Sequence, residues 1–393
     1  MDKVRFGVIG IGNMGSSHAK NLYDGNINDA VLTAVCDVDA KKREWASENL
    51  KTVEVFTDYV DMLNNAQIDA VIIATPHYLH PIIAIESFKK GYNVLTEKPA
   101  GVYTKQVEKM NAEALKSNKA FCIMYNQRTN PIFKKAREIM HSGEMGELKR
   151  VIWIVTNWYR RQEYYDSGLW RGTWRDEGGG VLINQCPHNI DIMQWIVGMP
   201  EKITASCSYG KYHDIEVEDD VSAFFEYPNG ATGALFTSTG ENPGTNRLEI
   251  SCDNGKILIE NGKLCVWKYN VPEHEFRYYT SDEYKKLSCE YSEFVPQNDD
   301  SSAHNQILQN FVNHILYSEE LVSPGYDGIK GLTISNAIHL SDWIESPVTL
   351  PIDSEKFEKL LMEKVESSEK KSKIISDNSV EAGVASDRWN VKW

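Results

Sequence analysis

The sequence predicts an α/β fold in which an N-terminal, doubly wound parallel sheet precedes an α+β region with a large, open and mainly antiparallel sheet. Strand and helix patterns alternate from residue 4 to about residue 124, which is typical of parallel strands joined by right-handed crossovers. Short strands separated by hairpin-turn sequences follow between residues 203 and 269. The chain has 393 residues, which is enough for two domains with buried cores.

The first strand leads into a glycine-rich turn. An apolar run over residues 4–9 ends in GIGNMG, and a helix-compatible segment follows at once. This order of strand, glycine turn and helix start is what the dinucleotide-binding fingerprint requires. We expect Gly10 to permit the tight turn, Gly12 to admit a pyrophosphate, and Gly15 to let the helix pack closely on the strand. The residues predicted to hold the pyrophosphate at the helix N-terminus are Gly10, Gly12, Asn13, Met14 and Gly15.

The second strand, over residues 31–36, ends on an acid. Asp37 lies close to the spacing of ~20 residues after the last glycine that is typical of a carboxylate on the adenosine ribose. A carboxylate accepts hydrogen bonds from both ribose hydroxyls and repels a 2′-phosphate. The sequence therefore predicts NAD as cofactor and favours it over NADP. The alternative is a structural glycine turn followed by a solvated Asp.

The elements that follow keep the same alternation. Residues 70–74 are fully apolar, as expected of a central parallel strand that is covered on both faces. In a sheet of this kind, ligands lie beyond the carboxyl ends of the strands. The predicted helices span residues 39–49, 58–63, 79–90 and 104–117, and the predicted strands span residues 54–56, 70–74, 93–96 and 120–124.

Polar residues follow three of these strands, where they would face a ligand. We expect the following to line the nicotinamide half of the cofactor site: Thr75, Pro76, His77, His80, Glu97, Lys98 and Gln127. Turns are commonly polar, but Pro99 stiffens the backbone just where Lys98 would point into the cleft. A lysine there can donate a hydrogen bond to a substrate hydroxyl or stabilise a developing alkoxide.

The bulk composition is ordinary for a soluble globular protein, with 41% hydrophobic and 25% charged residues. A net charge of −14 without a long basic run argues against nucleic acid as a partner. The seven cysteines are scattered singles, which predicts reduced thiols and no metal site. The sequence shows neither a signal peptide nor an apolar span of membrane length, so we expect a cytoplasmic protein without a membrane partner.

Four segments together resemble the Gfo/Idh/MocA oxidoreductase family. They are GIGNMGSSH at residues 10–18, ATPHYLH at 74–80, KKGYNVLTEKPAG at 89–101 and GGGVLINQCPHNIDIMQW at 178–195. The resemblance implies a Rossmann domain followed by an α/β domain with a large open antiparallel sheet. It also implies NAD(P)-dependent oxidation or reduction of sugars, inositols and related polyols, with Lys98 in the active site.

The last of these segments contains the residue to which the resemblance assigns proton transfer. We predict a helix over residues 178 to about 197, in which Pro187 is either a kink or the true start. Asn184, His188 and Asp191 would share one face of that helix. The resemblance implies that His188 is the acid/base and that an Asp lies four residues before it. Asn184 stands there instead, and an amide cannot raise the basicity of His188 by charge.

Residues 160–175 form an unusually aromatic and basic loop. Trp and Tyr rings can stack on the C–H faces of a sugar, and Arg can bind its hydroxyls or a carboxylate. The alternative is a loop whose aromatic side chains clamp it onto its own domain or onto a neighbouring subunit. The predicted substrate contacts are Lys98, Arg128, Trp158, Trp170, Asn184 and His188, of which Lys98, His188 and Asn184 are the predicted catalytic group.

We divide the chain into an NAD-binding domain over residues 1–125, a substrate and oligomerisation domain over 126–350, and a tail over 351–393. Helices over 178–197 and 305–316 are expected to cover one face of the second sheet. The other face is expected to pack on another subunit, giving a homo-oligomer, either a dimer or a tetramer. Two tryptophans near the C-terminus predict that the tail docks on the protein.

The sequence therefore predicts an NAD-dependent oxidoreductase that transfers hydride between nicotinamide and a secondary hydroxyl or ketone. The expected substrate is a cyclic polyol or sugar, such as an inositol, aldose, anhydrosugar or glycoside. One alternative is an NAD-dependent glycosidase of the same fold that uses transient oxidation and elimination. The other is a non-enzymatic NAD-binding regulatory protein, for which the departure at Asn184 leaves room.

Overall fold

A computed structural model gives the structure of residues 3–296, 303–369 and 371. The N-terminal half is built on strands β1 (Val4–Ile9), β2 (Ala30–Cys36), β3 (Glu54–Phe56), β4 (Ala70–Ile73), β5 (Asn93–Thr96) and β6 (Phe121–Ile123). The helices between them are α1 (Asn13–Tyr23), α2 (Ala40–Asn49), α3 (Tyr59–Asn65), α4 (Leu79–Lys89) and α5 (Thr104–Ser117). The strand order is β3-β2-β1-β4-β5-β6 and every neighbouring pair is parallel, which confirms the doubly wound fold.

The strands of this sheet are apolar because helices cover both of their faces. All four residues of β4 are completely buried. Two hydrophobic clusters lie on the two sides of the sheet, one around Phe6 and Leu32 and the other around Ile73 and Phe88. The carboxyl ends of the strands are therefore held rigidly at one edge, which is where a ligand site is expected.

The C-terminal half contains strands β7 (Leu148–Val155), β8 (Lys202–Tyr209), β9 (Glu218–Glu226), β10 (Thr232–Ser238), β11 (Asn246–Cys252), β12 (Gly255–Glu260), β13 (Lys263–Tyr269), β14 (Cys289–Phe294) and β15 (Val348–Thr349). They form one sheet in the order β14-β13-β12-β11-β7-β10-β9-β8-β15. All neighbouring pairs are antiparallel except β7 and β10, which are parallel. The sheet is thus mainly antiparallel as expected, but the meander is interrupted because β7 inserts between β10 and β11.

The remaining helices are α6 (Pro131–His141), α7 (Gln162–Asp166), α8 (Pro187–Val197), α9 (Glu273–Tyr279), α10 (Ala303–Tyr317), α11 (Gly328–Trp343) and α12 (Ser354–Ser367), with short 3-10 helices at Asn126–Thr129 and Gly325–Asp327. Helices α8 and α11 pack on the second sheet, with Ile192 and Ile338 in one core with Trp153. The expectation that residues 305–316 also cover this sheet was wrong. Helix α10 instead places Phe311 in the Rossmann core, 6.2 Å from the ring of Phe6.

Helix α12 was not expected from the sequence, which suggested only a tail after residue 350. Its Phe357 and Leu361 are buried in the C-terminal core, and the Phe357 ring stacks on Trp343 with centroids 5.2 Å apart. The predicted docking of Trp389 and Trp393 lies outside the described residues. Within the part of the chain that the structure describes, no helix is both long enough and apolar enough to cross a membrane.

Candidate active site

A cleft of about 1140 Å³ lies where the two halves of the chain meet. The Rossmann half contributes the glycine turn, the ends of β2, β4 and β5, and the 3-10 helix after β6. The C-terminal half contributes Trp158, the loop at 167–171, three residues at the start of α8 and just before it, and one residue of α10. The three residues are Asn184, Gln185 and His188. The cleft therefore lies at the strand ends, where the fold places ligands.

The three glycines of the first turn have different surroundings. Gly10 has φ +85°, and a Cβ there would lie 2.7 Å from the carbonyl oxygen of Ala74. A Cβ on Gly15 would lie 1.8 Å from the carbonyl oxygen of Gly10. A Cβ on Gly12, in contrast, would meet nothing within 4 Å among the described residues. Gly10 and Gly15 are thus required by the fold, whereas Gly12 leaves open space at the start of α1 for a ligand.

Asp37 lies at the end of β2 with its carboxylate held from the backbone. Its Oδ2 accepts from the N–H of Ile11 at 2.8 Å and its Oδ1 accepts from the N–H of Asp39 at 2.9 Å. A carboxylate has about four acceptor positions, so these two bonds leave room for ribose hydroxyls. The contact with Ile11 fixes the carboxylate next to the glycine turn, so that one ligand can touch both.

The turn after β4 brings Thr75, Pro76, His77 and His80 to the cleft. His80 is buried, and its two ring nitrogens lie 2.8 Å from the carbonyl oxygen of Pro99 and 2.7 Å from that of Thr75. Both nitrogens are therefore engaged in bracing the turns after β4 and β5, and only ring carbons can face a cofactor. His77 is held by the carbonyl oxygen of Glu177 at 2.9 Å, across the boundary between the two halves.

The end of β5 places Glu97 and Lys98 side by side, and the Lys98–Pro99 peptide bond is cis. Glu97 is buried, and its Oε1 lies 2.7 Å from Nε2 of His18. Burial by itself would raise the pKa of Glu97, but the hydrogen bond and charge of His18 lower it to about 2. Glu97 is thus an anion fixed beside Lys98.

Lys98 is half-buried at the cleft, and its Nζ donates to the main-chain oxygen of Asn184 at 2.8 Å. Burial lowers the pKa of Lys98 to about 8, although the carboxylate of Glu97 acts in the opposite direction. The ammonium of this lysine is therefore poised to lose its proton close to neutral pH, as a group in proton transfer requires.

The segment before α8 is not helical as expected. Helix α8 begins at Pro187, so the alternative in which the proline marks the true start is the correct one. Residues 178–186 form turns instead, because Gly178 and Gly179 have positive φ values and Gly180 lies directly against the backbone of β9. Asn184 therefore does not share a helical face with His188, yet both residues line the cleft.

His188 lies in the first turn of α8 and is partly exposed to the cleft. Its ring packs edge to face with Tyr125, with centroids 6.1 Å apart. Burial and the nearby charge of Lys98 lower the pKa of His188 well below its usual value. The imidazole is consequently neutral near pH 7, which is the form that can accept a proton.

Arg128 is a correction to the predicted substrate contacts. Its side chain is 1% exposed, and its Nε and Nη2 donate to the two carboxylate oxygens of Asp191 at 2.8 and 2.7 Å. Its Nη1 donates to Asp327 at 2.7 Å. The guanidinium is thus paired with two carboxylates of the C-terminal half. It holds the two halves together and does not face the cleft.

The aromatic loop divides between the two roles that the sequence left open. Tyr164, Tyr165 and Trp174 are buried in the protein itself. Trp170 lines the cleft, with its ring centroid 5.4 Å from that of His77. Trp158 also reaches the cleft, but it is 3% exposed and its indole N–H donates to Asn189 at 3.1 Å.

Several buried polar atoms at the cleft have no hydrogen-bond partner among the residues that the structure describes. They are Thr75 Oγ1, Asn126 Oδ1, Gln127 Oε1 and Gln185 Oε1. Buried polar atoms in native proteins are nearly always paired, so these atoms are available to a polar ligand or to water in the cleft. The hydroxyl and carboxamide groups of a nicotinamide dinucleotide fit this donor and acceptor set. In residues 3–296, 303–369 and 371, no cluster of three or more His, Cys, Asp or Glu side chains could hold a metal ion.

One residue of the cleft, His304, and one residue directly behind its lining, Glu177, escaped the sequence analysis. His304 reaches the cleft from α10, its ring 5.9 Å from that of His18, and burial lowers its pKa to about 4. Nothing near it in the sequence indicated a role. Glu177 is 1% exposed and contacts the side chain of Asn184, and burial raises its pKa to about 7. Its position directly before three glycines was the only available signal.

Both halves of the chain match known families. Residues 4–125 match the family model described as "Oxidoreductase family, NAD-binding Rossmann fold". Residues 133–258 match the one described as "GFO/IDH/MocA C-terminal domain". Together these matches cover more than half of the chain, and they divide near the 3-10 helix that follows β6.

Curated relatives include inositol dehydrogenases. The chain is 33% identical to inositol 2-dehydrogenase 1 of Paenarthrobacter aurescens over 295 residues, which cover 70% of this chain and 81% of that protein. It is 26% identical to myo-inositol 2-dehydrogenase of Thermotoga maritima over 266 residues, which cover 66% of this chain and 75% of that protein.

Solved structures with the same fold include NADH complexes. The WlbA dehydrogenase of Chromobacterium violaceum, in complex with NADH and UDP-GlcNAcA, superposes with a TM-score of 0.75 at 26% identity, covering 90% of this chain and 97% of that one. A levoglucosan dehydrogenase in complex with NADH has a TM-score of 0.73 at 20% identity, covering 89% of this chain and 100% of that one, and supports the fold alone.

Proposed function

The chain belongs to the Gfo/Idh/MocA oxidoreductase family, and we propose that it transfers hydride between NAD and a secondary hydroxyl or ketone of a cyclic polyol or sugar. The observation that carries this proposal is the convergence of Lys98, from the end of β5, and His188, from the start of α8, on one cleft. That cleft also contains the glycine turn and Asp37. An ammonium and a neutral imidazole thus flank the same space as the cofactor site.

The two groups have complementary roles in this proposal. NAD, when bound, supplies the hydride acceptor. The neutral imidazole of His188 accepts the proton of the substrate hydroxyl, and the Lys98 ammonium stabilises the negative charge that develops on the same oxygen. Trp170 offers an aromatic face for the C–H surface of a ring. Gly12 and Asp37 hold the pyrophosphate and the ribose, and Thr75 and Gln127 pair with the nicotinamide half.

The substrate class is supported by the relatives, which are named for inositols, and by a cleft edged with aromatic and amide groups. The test is a screen of inositols, aldoses, anhydrosugars and glycosides for NADH formation. Turnover of a ring polyol or sugar is expected. If no such compound changes NADH absorbance in either direction, the proposal is wrong. The inositol 2-dehydrogenases and the WlbA dehydrogenase that this chain resembles are all named as dehydrogenases, and no observation favours the glycosidase alternative.

A matched pair of glycine variants tests the cofactor site. Gly12→Ala adds a methyl group that meets nothing within 4 Å in the described structure, so the melting temperature is expected to stay nearly unchanged. The same methyl group occupies the space proposed for the pyrophosphate, so NAD affinity is expected to fall at least about tenfold, roughly the loss of one charge-assisted hydrogen bond. Gly15→Ala is expected to lower the melting temperature because its methyl group collides with the backbone at Gly10. Unchanged NAD affinity in Gly12→Ala, measured by calorimetry, would place the cofactor elsewhere.

The choice of NAD over NADP is expected to depend on Asp37. Asp37→Ala removes the ribose acceptor and the repulsion of a 2′-phosphate, so the ratio of NAD to NADP affinity should fall by about tenfold to a hundredfold. Asp39→Ala is the control, because its carboxylate caps α2 through the N–H of Lys41. Fluorescence titration of the wild type and both variants with NAD and with NADP measures this ratio. An unaltered ratio in Asp37→Ala contradicts the assignment.

We propose that the uncovered face of the second sheet is a homo-oligomer interface. Phe224 is 55% exposed there and pairs across the strands with Ala234, which in turn pairs with Ile152. Exposed Phe224 and half-buried Ile152 present apolar surface on either side of the buried Ala234, and apolar surface on an uncovered sheet face favours association. The mass of the purified protein in solution tests it, and a monomer at micromolar concentration would contradict it.

A further inference from the structure

Glu177 is a buried carboxylate at the back of the cleft, in direct contact with Asn184. Its Oε1 accepts a hydrogen bond from Nδ2 of Asn184, and its Oε2 accepts one from the N–H of Gly172. Its main-chain oxygen is bonded to His77. Glu177 therefore ties together the loop that carries Trp170, the turn after β4 and the residue whose main-chain oxygen holds Lys98.

These contacts determine which way the amide of Asn184 faces. Both carboxylate oxygens of Glu177 face N–H donors, Oε2 the backbone of Gly172 and Oε1 the NH₂ group of Asn184. Above the raised pKa of Glu177, about 7, the carboxylate can only accept hydrogen bonds, which holds the NH₂ group of Asn184 towards it. Its other contact there is the hydroxyl of Tyr164, at 3.1 Å. The Tyr164 hydroxyl also accepts from Arg171, and the side-chain amide of Gln185 lies 3.1 Å from it. With the amide nitrogen turned to this side, its oxygen Oδ1 is left for the cleft that Asn184 lines.

We propose that Glu177 is a positioning residue that fixes Asn184 Oδ1 as a hydrogen-bond acceptor for the substrate. Resting on the proposed function, this deepens it by naming a requirement on the substrate. The ring position beside the reacting carbon must carry a free hydroxyl, which can donate to Oδ1. A methyl ether or a deoxy carbon at that position cannot donate, and it leaves a buried acceptor unpaired.

The first test uses Glu177→Gln with myo-inositol, its deoxy analogues and its mono-O-methyl ethers as probes of the NAD-loaded protein. A glutamine can present either NH₂ or oxygen to Asn184, so the orientation of Oδ1 is no longer fixed. For the parent polyol, KM is expected to rise by about tenfold, the equivalent of one hydrogen bond. For the analogue that lacks the critical hydroxyl, Glu177→Gln should leave KM unchanged, because the hydrogen bond to Asn184 Oδ1 is already absent.

Glu218→Gln is the matched control. Glu218 is also buried, and its Oε1 accepts from the N–H groups of Gly180 and Leu182 at 2.9 and 3.0 Å, so it braces the same turns without contacting the Asn184 amide in the described structure. Glu218→Gln should lower the melting temperature but leave the ratio of KM for the parent polyol to KM for its deoxy analogue as in the wild type. A change of that ratio as large as in Glu177→Gln would reduce Glu177 to a merely structural brace and overturn the proposal.

An exchange of the two residues provides a test that does not require turnover. Asn184→Asp alone places two carboxylates in contact in a buried site, so a marked loss of melting temperature is expected. The double variant Asn184→Asp/Glu177→Gln restores an amide against a carboxylate with the partners exchanged, and the melting temperature should recover. If the double variant is no more stable than Asn184→Asp, the contact does not fix the amide and the proposal fails. If the exchange behaves as expected but no polyol is turned over, the proposed function fails and the positioning role stands.

Discussion

Replacing Lys98 by methionine is expected to lower kcat by about 10²–10⁴-fold while NAD still binds, which is the usual range for the loss of one proton-transfer or charge-stabilising group. Methionine keeps an apolar stem of similar length but carries no charge and no donor. In the described structure the Nζ of Lys98 donates to the main-chain oxygen of Asn184, and methionine cannot replace this bond. Steady-state rates with the substrate identified in the polyol screen measure the effect.

The pH dependence of the rate provides a second test of the role of Lys98. Burial lowers the pKa of Lys98 to about 8, so the ammonium is present below that pH and is lost as the pH rises through it. The rate of ketone reduction, which needs the charged form, should therefore fall above about pH 8. In Lys98→Arg the guanidinium stays charged, so whatever activity remains should lose this limb of the profile.

The contrary outcomes for Lys98 are distinct. Wild-type kcat in Lys98→Met would exclude the lysine from the chemistry. A rate that is lost together with NAD affinity would make Lys98 a cofactor-binding residue only. Lys20→Met serves as a control for the loss of a lysine on the Rossmann half, since Lys20 forms an exposed pair with Asp24 on α1.

The sequence predicted those parts of the site whose chemistry depends on local geometry. The glycine turn, Asp37 and Lys98 each follow a strand of the parallel sheet, so the alternation of strands and helices in the sequence is enough to predict that they lie at one edge of that sheet. His188 came from a resemblance, and its place beside the cleft depends on how the second half docks. His304 and Glu177 could not be found in this way, because tertiary contacts that no local pattern encodes bring His304 to the cleft and Glu177 against the cleft residue Asn184.

The errors have physical reasons of the same kind. An apolar helix stripe such as that of α10 shows that a helix is buried, but it does not show which of two sheets it covers. Three consecutive glycines before an apolar run resemble a helix start, yet Gly178 and Gly179 adopt positive φ values that delay α8 to Pro187. A polar residue after a strand faces either a ligand or a neighbouring domain, and Arg128 does the latter.

Replacing Arg128 by methionine is accordingly expected to affect folding stability and not substrate recognition. The change leaves the buried carboxylate of Asp191 without its bidentate partner and Asp327 without one of its cations. Breaking a buried ion pair in this way costs about 3–5 kcal/mol of unfolding free energy, because an unpaired charge remains in the interior. Arg128→Lys should recover only part of this, since an ammonium cannot form the two parallel bonds to Asp191.

Denaturant unfolding followed by fluorescence measures the loss, and Lys20→Met is the matched control, expected to cost only about 0.3–0.5 kcal/mol because its i,i+4 pair is exposed. The KM for the substrate is a second readout of the role of Arg128. Its partners lie in α8 and in the 3-10 helix before α11 and do not line the cleft, so losing them should destabilise the packing of these helices without removing a substrate contact. At temperatures where the variant remains folded, KM should stay near the wild-type value. A variant of wild-type stability with a selectively raised KM would return Arg128 to the substrate and remove the structural role argued for it.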